Sequence, residues 1–143
     1  MARTLMIAEP TAHWLARPAS VVDCSVLVAA FFEEANTVEA TAALANRALH
    51  APTLLPYEFA NVARSKSRAG ADPSRITEGL EAFEASRIEL HLLEPRWLHE
   101  LALEEGLTAY DAAYLGLAIR LRAPLLTFDH RLSAAAERRL SGR

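Results

Sequence analysis

The 143-residue chain contains one cysteine, one lysine and four aspartates, and each scarcity narrows what it can be. Cys24 has no partner for an internal disulfide and excludes a Cys-based zinc site, so a reducing, cytoplasmic setting is the default. No long hydrophobic run is present: the longest apolar stretch falls far short of the roughly 20 residues of a membrane span. Leu5-Met6-Ile7-Ala8 is too short for the apolar region of a signal peptide, and Glu9-Pro10 interrupts it. Charge is balanced rather than one-sided, with 15 basic and 18 acidic side chains and a net charge of −3. At 52% hydrophobic and 23% charged the chain is too apolar for disorder, and its length suits one domain with a sizeable core.

What is present alternates between two kinds of segment. Ala19–Asp23 reads as a strand, followed by a helix Val26–Glu34 with Ser25 as its cap. Asn36 with Glu39 resembles a capping box for a second helix reaching Ala48. Pro52–Leu55 reads as the second strand, and the helix from Pro56 runs to Gly70. Asp72-Pro73 caps a helix over Ser74–Glu84, and Ile88–Leu92 alternates as a third strand. A helix from Pro95 ends at Gly106, and Thr108 caps another through Arg120. Leu125–Thr127 is the fourth strand, and Arg131–Leu140 the last helix. Strands alternating with helices predict an α/β domain around a parallel sheet, whose ligands gather beyond the carboxyl ends of the strands.

The acidic residues are unevenly divided, 14 Glu against four Asp. Glu is the better helix former, so each Asp needs its own explanation. Asp72 is explained as a helix cap. Asp23 closes the first strand and Asp129 follows the fourth, while Glu58 and Asp111 lie in first turns of helices. If the strands are parallel, all four acids face one edge. Two like charges about 5 Å apart repel by roughly 3 kcal/mol at an effective dielectric near 20. Such a cluster calls for proton uptake or a cation, and Mg²⁺ suits carboxylate oxygens. Helix capping and the macrodipole are the competing explanation, at about 0.3–1 kcal/mol per acid. Ser25 and Thr127 place hydroxyls beside Asp23 and Asp129, and Asn61 shares a helix face with Glu58, where it can orient the carboxylate.

The segments Val21-Val22-Asp23-Cys24-Ser25, Pro56-Tyr57-Glu58-Phe59-Ala60-Asn61, Leu107-Thr108-Ala109-Tyr110-Asp111-Ala112-Ala113-Tyr114 and Pro124-Leu125-Leu126-Thr127-Phe128-Asp129 together resemble PIN-domain proteins, VapC-type toxins of bacterial toxin–antitoxin pairs most closely. The resemblance spans about Ala19 to Leu140. It implies a three-layer α/β/α domain over 19–143 with a central parallel sheet of four strands, or five if an edge strand follows the last helix. It implies an Mg²⁺- or Mn²⁺-dependent endoribonuclease in which Asp23, Glu58, Asp111 and Asp129 hold one or two ions. A homodimer and a cognate antitoxin are implied as well. A processing nuclease without a toxin role and a catalytically silent binding module are the alternative functions. The chain departs from the family in its 22 residues before Asp23, in Cys24 after the first acid, and in ending at Ser141-Gly142-Arg143. Residues 1–18 are therefore expected to form an N-terminal extension, an arm or an element packed through Trp14 and Leu15.

Four features stand outside the acidic set. Arg64 and Arg68, four apart on the Glu58 helix, can share a face and meet an RNA backbone, against the plainer alternative of a solvated surface. Tyr110 and Tyr114 have the same spacing, and packing outweighs base stacking for them. No histidine shows ligand spacing, and His130 alone adjoins an acid of the set. Phe31, Phe32, Leu44 and Leu49 belong either to the core or to a partner surface. Two bound divalent ions would move the formal charge from −3 to +1, which removes the electrostatic objection to an RNA partner.

Overall fold

The computed structural model describes residues 17–141, so the expected extension up to residue 16, with Trp14 and Leu15, lies outside the described residues. The described elements are β1 (Ala19–Val22), α1 (Cys24–Phe31), α2 (Thr37–Leu44), β2 (Ala48–Pro52), α3 (Leu55–Arg68), α4 (Pro73–Ala85), β3 (Ile88–His91), α5 (Pro95–Glu105), α6 (Ala109–Leu121), β4 (Leu125–Leu126) and α7 (His130–Leu140). The strands form one parallel sheet in the order β3-β2-β1-β4, with four strands among the described residues. Helices α1–α4 pack with one another, and α5–α7 form a second group in which α6 lies against β1, β2 and β4. This is the α/β/α architecture expected. No helix among the described residues is long and apolar enough to cross a membrane.

The strand order has a functional consequence. The chain moves from β1 to β2 to β3 in one direction, then returns to place β4 on the other side of β1. The crevice beyond the carboxyl ends of β1 and β4 is a topological switch point, where α/β sheets bind ligands. Backbone bonds continue the pairing on both sides of the short β4. Val21 N donates to Pro124 O and Asp23 N to Leu126 O, both at 2.9 Å.

Several boundaries differ from the expected ones. The second strand is Ala48–Pro52, not Pro52–Leu55. Asn46, with φ 58°, turns the chain out of α2 early, and Leu55 begins the next helix fully buried. Short apolar runs carry no period that separates strand from helix, and Leu54-Leu55 is such a run. Ser25 does not cap α1, which starts at Cys24 with Asp23 in the cap position and no side-chain cap bond. Asn36 makes no cap bond either; the Thr37 hydroxyl instead donates to Ala29 O and Glu34 O, tying α2 to the end of α1. The remaining signals are realised locally. Asp72 accepts from Ser74 N at 3.0 Å, Thr108 from Asp111 N at 3.1 Å, and Gly106 adopts φ 64° to end α5.

The core explains the aromatic residues left open between packing and interface. Phe59 is buried and stacks on Phe32 and Phe83 at centroid distances of 5.0 and 4.4 Å, with Phe31 edge-on at 6.2 Å. Leu44 and Leu49 are partly buried against the same core. Gly79 of α4 is where that stack leaves no space: a Cβ there would sit 2.3 Å from Phe32 Cε1 and 3.1 Å from Phe31 O. In a helix alanine would otherwise be favoured by about 1 kcal/mol. Because the Phe32 ring is held by Phe59, Gly79→Ala is expected to destabilise by about 1–3 kcal/mol through overpacking. Urea unfolding checks this, and a variant as stable as the parent would show that the ring yields freely.

Candidate active site

The switch point holds a cavity of about 490 Å³ whose wall includes Asp23, Glu58, Asp111 and Asp129, joined by Glu34. No Lys or Arg lines it among the described residues. Asp23 follows the buried β1 at the centre of the sheet and is itself buried, 7% exposed. A carboxylate so placed must have its hydrogen bonds satisfied. Its Oδ2 accepts from the Ser25 hydroxyl at 2.7 Å and from the Thr127 hydroxyl at 2.8 Å. Both hydroxyls accept in turn: Ser25 Oγ from Phe128 N at 3.1 Å, and Thr127 Oγ1 from Asp129 N at 2.9 Å. Thr127 was expected to serve Asp129; it donates to Asp23 and meets Asp129 only through the backbone.

The other acids are anchored from their helices. The Tyr114 hydroxyl, reaching across from α6, donates to Glu58 Oε1 at 2.6 Å. Asp129 Oδ1 accepts from Leu132 N at 2.9 Å and so caps α7. Cap and site were competing explanations for Asp129; it caps α7 and also lies in the cavity wall. Asp23, Glu58 and Asp129 thus share a pattern: one oxygen is tied by the protein, and the other accepts no hydrogen bond from a donor among the described residues. Asp111 projects from the first turn of α6, whose cap is supplied by Thr108.

Crowding appears in the proton affinities. Burial raises the Glu58 carboxyl above its ordinary value; the Tyr114 hydrogen bond opposes this, and the charges of Asp23 and Asp111 add to it. Asp111 is raised by burial first, then by Asp129 and Asp23, against the Thr108 hydrogen bond and Arg131. Cys24 is pushed up to about 12 by burial and by Glu58 and Asp23, so it stays a thiol and packs, as expected of a lone buried cysteine.

The remaining candidates separate clearly. Asn61 lines the cavity, but its side chain makes no hydrogen bond to Glu58; that place is taken by Tyr114. Arg64 and Arg68 are exposed, form no ion pair among the described residues and do not line the cavity. His130 is exposed and outside the wall. Tyr114 was read as packing. It is fully buried, yet its hydroxyl orients an acid. Its spacing of three from Asp111, which places both on one side of α6, was the available signal.

The PIN domain family matches residues 20–138. The chain belongs to the PIN-domain family. Ribonuclease VapC3 of Pyrobaculum aerophilum is 34% identical over 119 residues, covering 79% of this chain and 91% of that protein. Ribonuclease VapC9 of Mycobacterium tuberculosis and VapC ribonuclease Mb0985 of Mycobacterium bovis are each 34% identical over 118 residues, covering 79% of this chain and 87% of theirs. Among solved structures, the crystal structure of PAE2754 from Pyrobaculum aerophilum superposes with a TM-score of 0.66 at 24% identity, over 88% of this chain and 91% of that one. That likeness speaks for the fold.

In this PIN domain the raised acids set a pH dependence. Folded values above the unfolded ones mean that the fold holds these protons more tightly. The Glu58 and Asp111 contribution therefore favours the fold at low pH and is lost as pH rises from the ordinary carboxylate range through the raised values. In metal-free protein, carboxyl NMR titration should place both midpoints above the usual range of about 4. Tyr114→Phe should raise Glu58 further, since a donor to the ionised form is removed. A lowered or unmoved Glu58 midpoint in that variant would contradict the assignment.

Proposed function

We propose that the chain is an Mg²⁺- or Mn²⁺-dependent endoribonuclease, the toxin of a toxin–antitoxin pair, with Asp23, Glu58, Asp111 and Asp129 as its catalytic and metal-holding residues. The observation that carries this reading is a cavity at the switch point where Asp23, Glu58, Asp111 and Asp129 converge with no Lys or Arg in the wall among the described residues, a fifth carboxylate, Glu34, being paired with Lys66. The all-oxygen donor set fits a hard divalent ion, which keeps water in its coordination sphere and so can meet a phosphate group. The free oxygens of Asp23, Glu58 and Asp129, with Asp111, would hold one or two such ions. A bound ion supplies Lewis acidity to a phosphodiester and lowers the pKa of coordinated water.

The protein's own part is positioning and proton transfer. Ser25 and Thr127 fix the Asp23 carboxylate against rotation, and Tyr114 fixes Glu58. Glu58 and Asp111, whose hold on a proton burial and neighbouring acids strengthen, are the proposed proton acceptors. The RNA substrate is supported by the VapC ribonucleases at 34% identity. The same relatives support a cognate antitoxin as partner, with homodimerisation as the family-level expectation. Arg64 and Arg68, outside the cavity but on the helix that carries Glu58, are proposed backbone contacts for RNA. Residues 1–18 are proposed as an extension to the domain of 19–143, and a cytoplasmic setting is proposed with the lone cysteine, Cys24, as its support.

Four measurements test the reading. RNA cleavage should require Mg²⁺ or Mn²⁺ and stop on chelation. Asp23→Asn or Asp111→Asn should lower the cleavage rate on the order of 100-fold or more with unchanged circular dichroism; wild-type rates in either variant would overturn the assignment. Thr127→Val removes a donor to Asp23 and should weaken Mn²⁺ binding by about 10–100-fold in calorimetry, with any surviving activity recovered at higher metal concentration. Growth arrest on expression, relieved by the product of an adjacent small gene, would distinguish the toxin from a processing nuclease.

A further inference from the structure

A second group of ligand-type side chains lies on the sheet itself, away from the acidic cavity. His50 is on β2, and Glu89 and His91 are on β3. The parallel register sets His50 opposite Glu89 and Pro52 opposite His91. Side chains alternate along a strand, so residues two apart on β3 and the register partner on β2 share one face. The coordinates bear this out. His50 Nδ1 lies 2.9 Å from His91 Nε2, and the Glu89 oxygens lie 3.7 Å from His50 Nδ1 and 3.9 Å from His91 Nε2. One ligand atom from each residue falls within 4.8 Å of the other two.

We propose that His50, Glu89 and His91 form a binding site for a divalent transition ion of the Zn²⁺ class. Two imidazole nitrogens and one carboxylate oxygen suit Zn²⁺ and its neighbours, whereas Mg²⁺ demands oxygen. Two nitrogens on one tetrahedral Zn²⁺ stand about 3.3 Å apart, a small opening from the present contact. The two rings now share one hydrogen bond, one nitrogen donating and the other accepting; an ion bound by both nitrogens takes the place of that bond, and the donor ring stays neutral by carrying its proton on the other ring nitrogen instead. Both imidazoles are largely buried, at 15% and 21% side-chain exposure, while Glu89 is 69% exposed, so the ligands are held by the sheet and reached from the Glu89 side. Arg47 turns to Ser20 Oγ at 2.9 Å, and the ion-pair partners of Glu89 among the described residues are the two imidazoles alone. None of the three lines the acidic cavity. The chain would thus sort cations by donor type, oxygen-seeking ions at the switch point and nitrogen-seeking ions at the edge of the sheet. An ion here would clamp β3, the outermost strand of the described sheet, to β2.

The test is a Zn²⁺ titration of the full chain in excess Mg²⁺, followed by NMR of the imidazole nitrogens. The ring signals of His50 and His91 should shift and saturate together while those of His99 and His130 stay in place. The thermal midpoint should rise with Zn²⁺ in the parent and not in His91→Ala or His50→Gln. Zn²⁺ affinity should fall at least ~10-fold in His91→Ala. If the two rings do not respond to Zn²⁺ in the parent, they are a hydrogen-bonded pair only and the proposal fails, whatever the variants do. Unchanged Zn²⁺ affinity in a folded His91→Ala would overturn it equally.

Discussion

The arrangement depends on one constraint: a buried carboxylate at the centre of the sheet must have its hydrogen bonds satisfied by the protein. Asp23 meets it by drawing hydroxyls from two directions, Ser25 from its own helix and Thr127 from the far side of the switch point. Those hydroxyls then receive the backbone amides of Phe128 and Asp129. β4 has only two residues, so its ladder alone is a weak attachment. The polar clasp around Asp23 completes it. The group at the base of the acidic cavity is therefore also what holds the last strand in register.

This double duty accounts for the balance between order and reactivity at the site. Anchoring one oxygen each of Asp23, Glu58 and Asp129 limits side-chain rotation, which under the proposed function would lower the entropy lost in gathering an ion. Leaving the second oxygen unbonded preserves a like-charge repulsion that a cation would relieve. A set of carboxylates fully paired with Arg or Lys would be equally ordered but would have no use for a cation.

Much of this was legible in the chain because the informative residues act locally. Asp23 at the end of a β-branched run, Asp72 before a proline, and Gly106 after a helical pattern each announce their position by short-range chemistry. The order of strands and helices follows from the same signals, and with it the shared edge of the four acids. What was not legible depended on contacts distant in sequence. Ser25 looks like a helix cap, yet its hydroxyl goes to Asp23 and to the amide of Phe128, 103 residues away. Tyr114 looks like core, and its role with Glu58 spans 56 residues. The misplacement of β2 has a different origin, since Leu54-Leu55 has no period and only burial in the assembled fold makes it a helix start.

The aromatic stack around Phe59 has a bearing on Glu58, its neighbour in sequence. A helix resting on a smooth apolar surface can roll about its own axis at little cost, and each degree of roll re-aims every side chain it carries. Rings from α1 and α4 grip Phe59 on several sides and remove that freedom from α3. The core therefore works as an angular stop: the bearing of a charged group in the cavity is set by hydrocarbon on a neighbouring flank of the same helix.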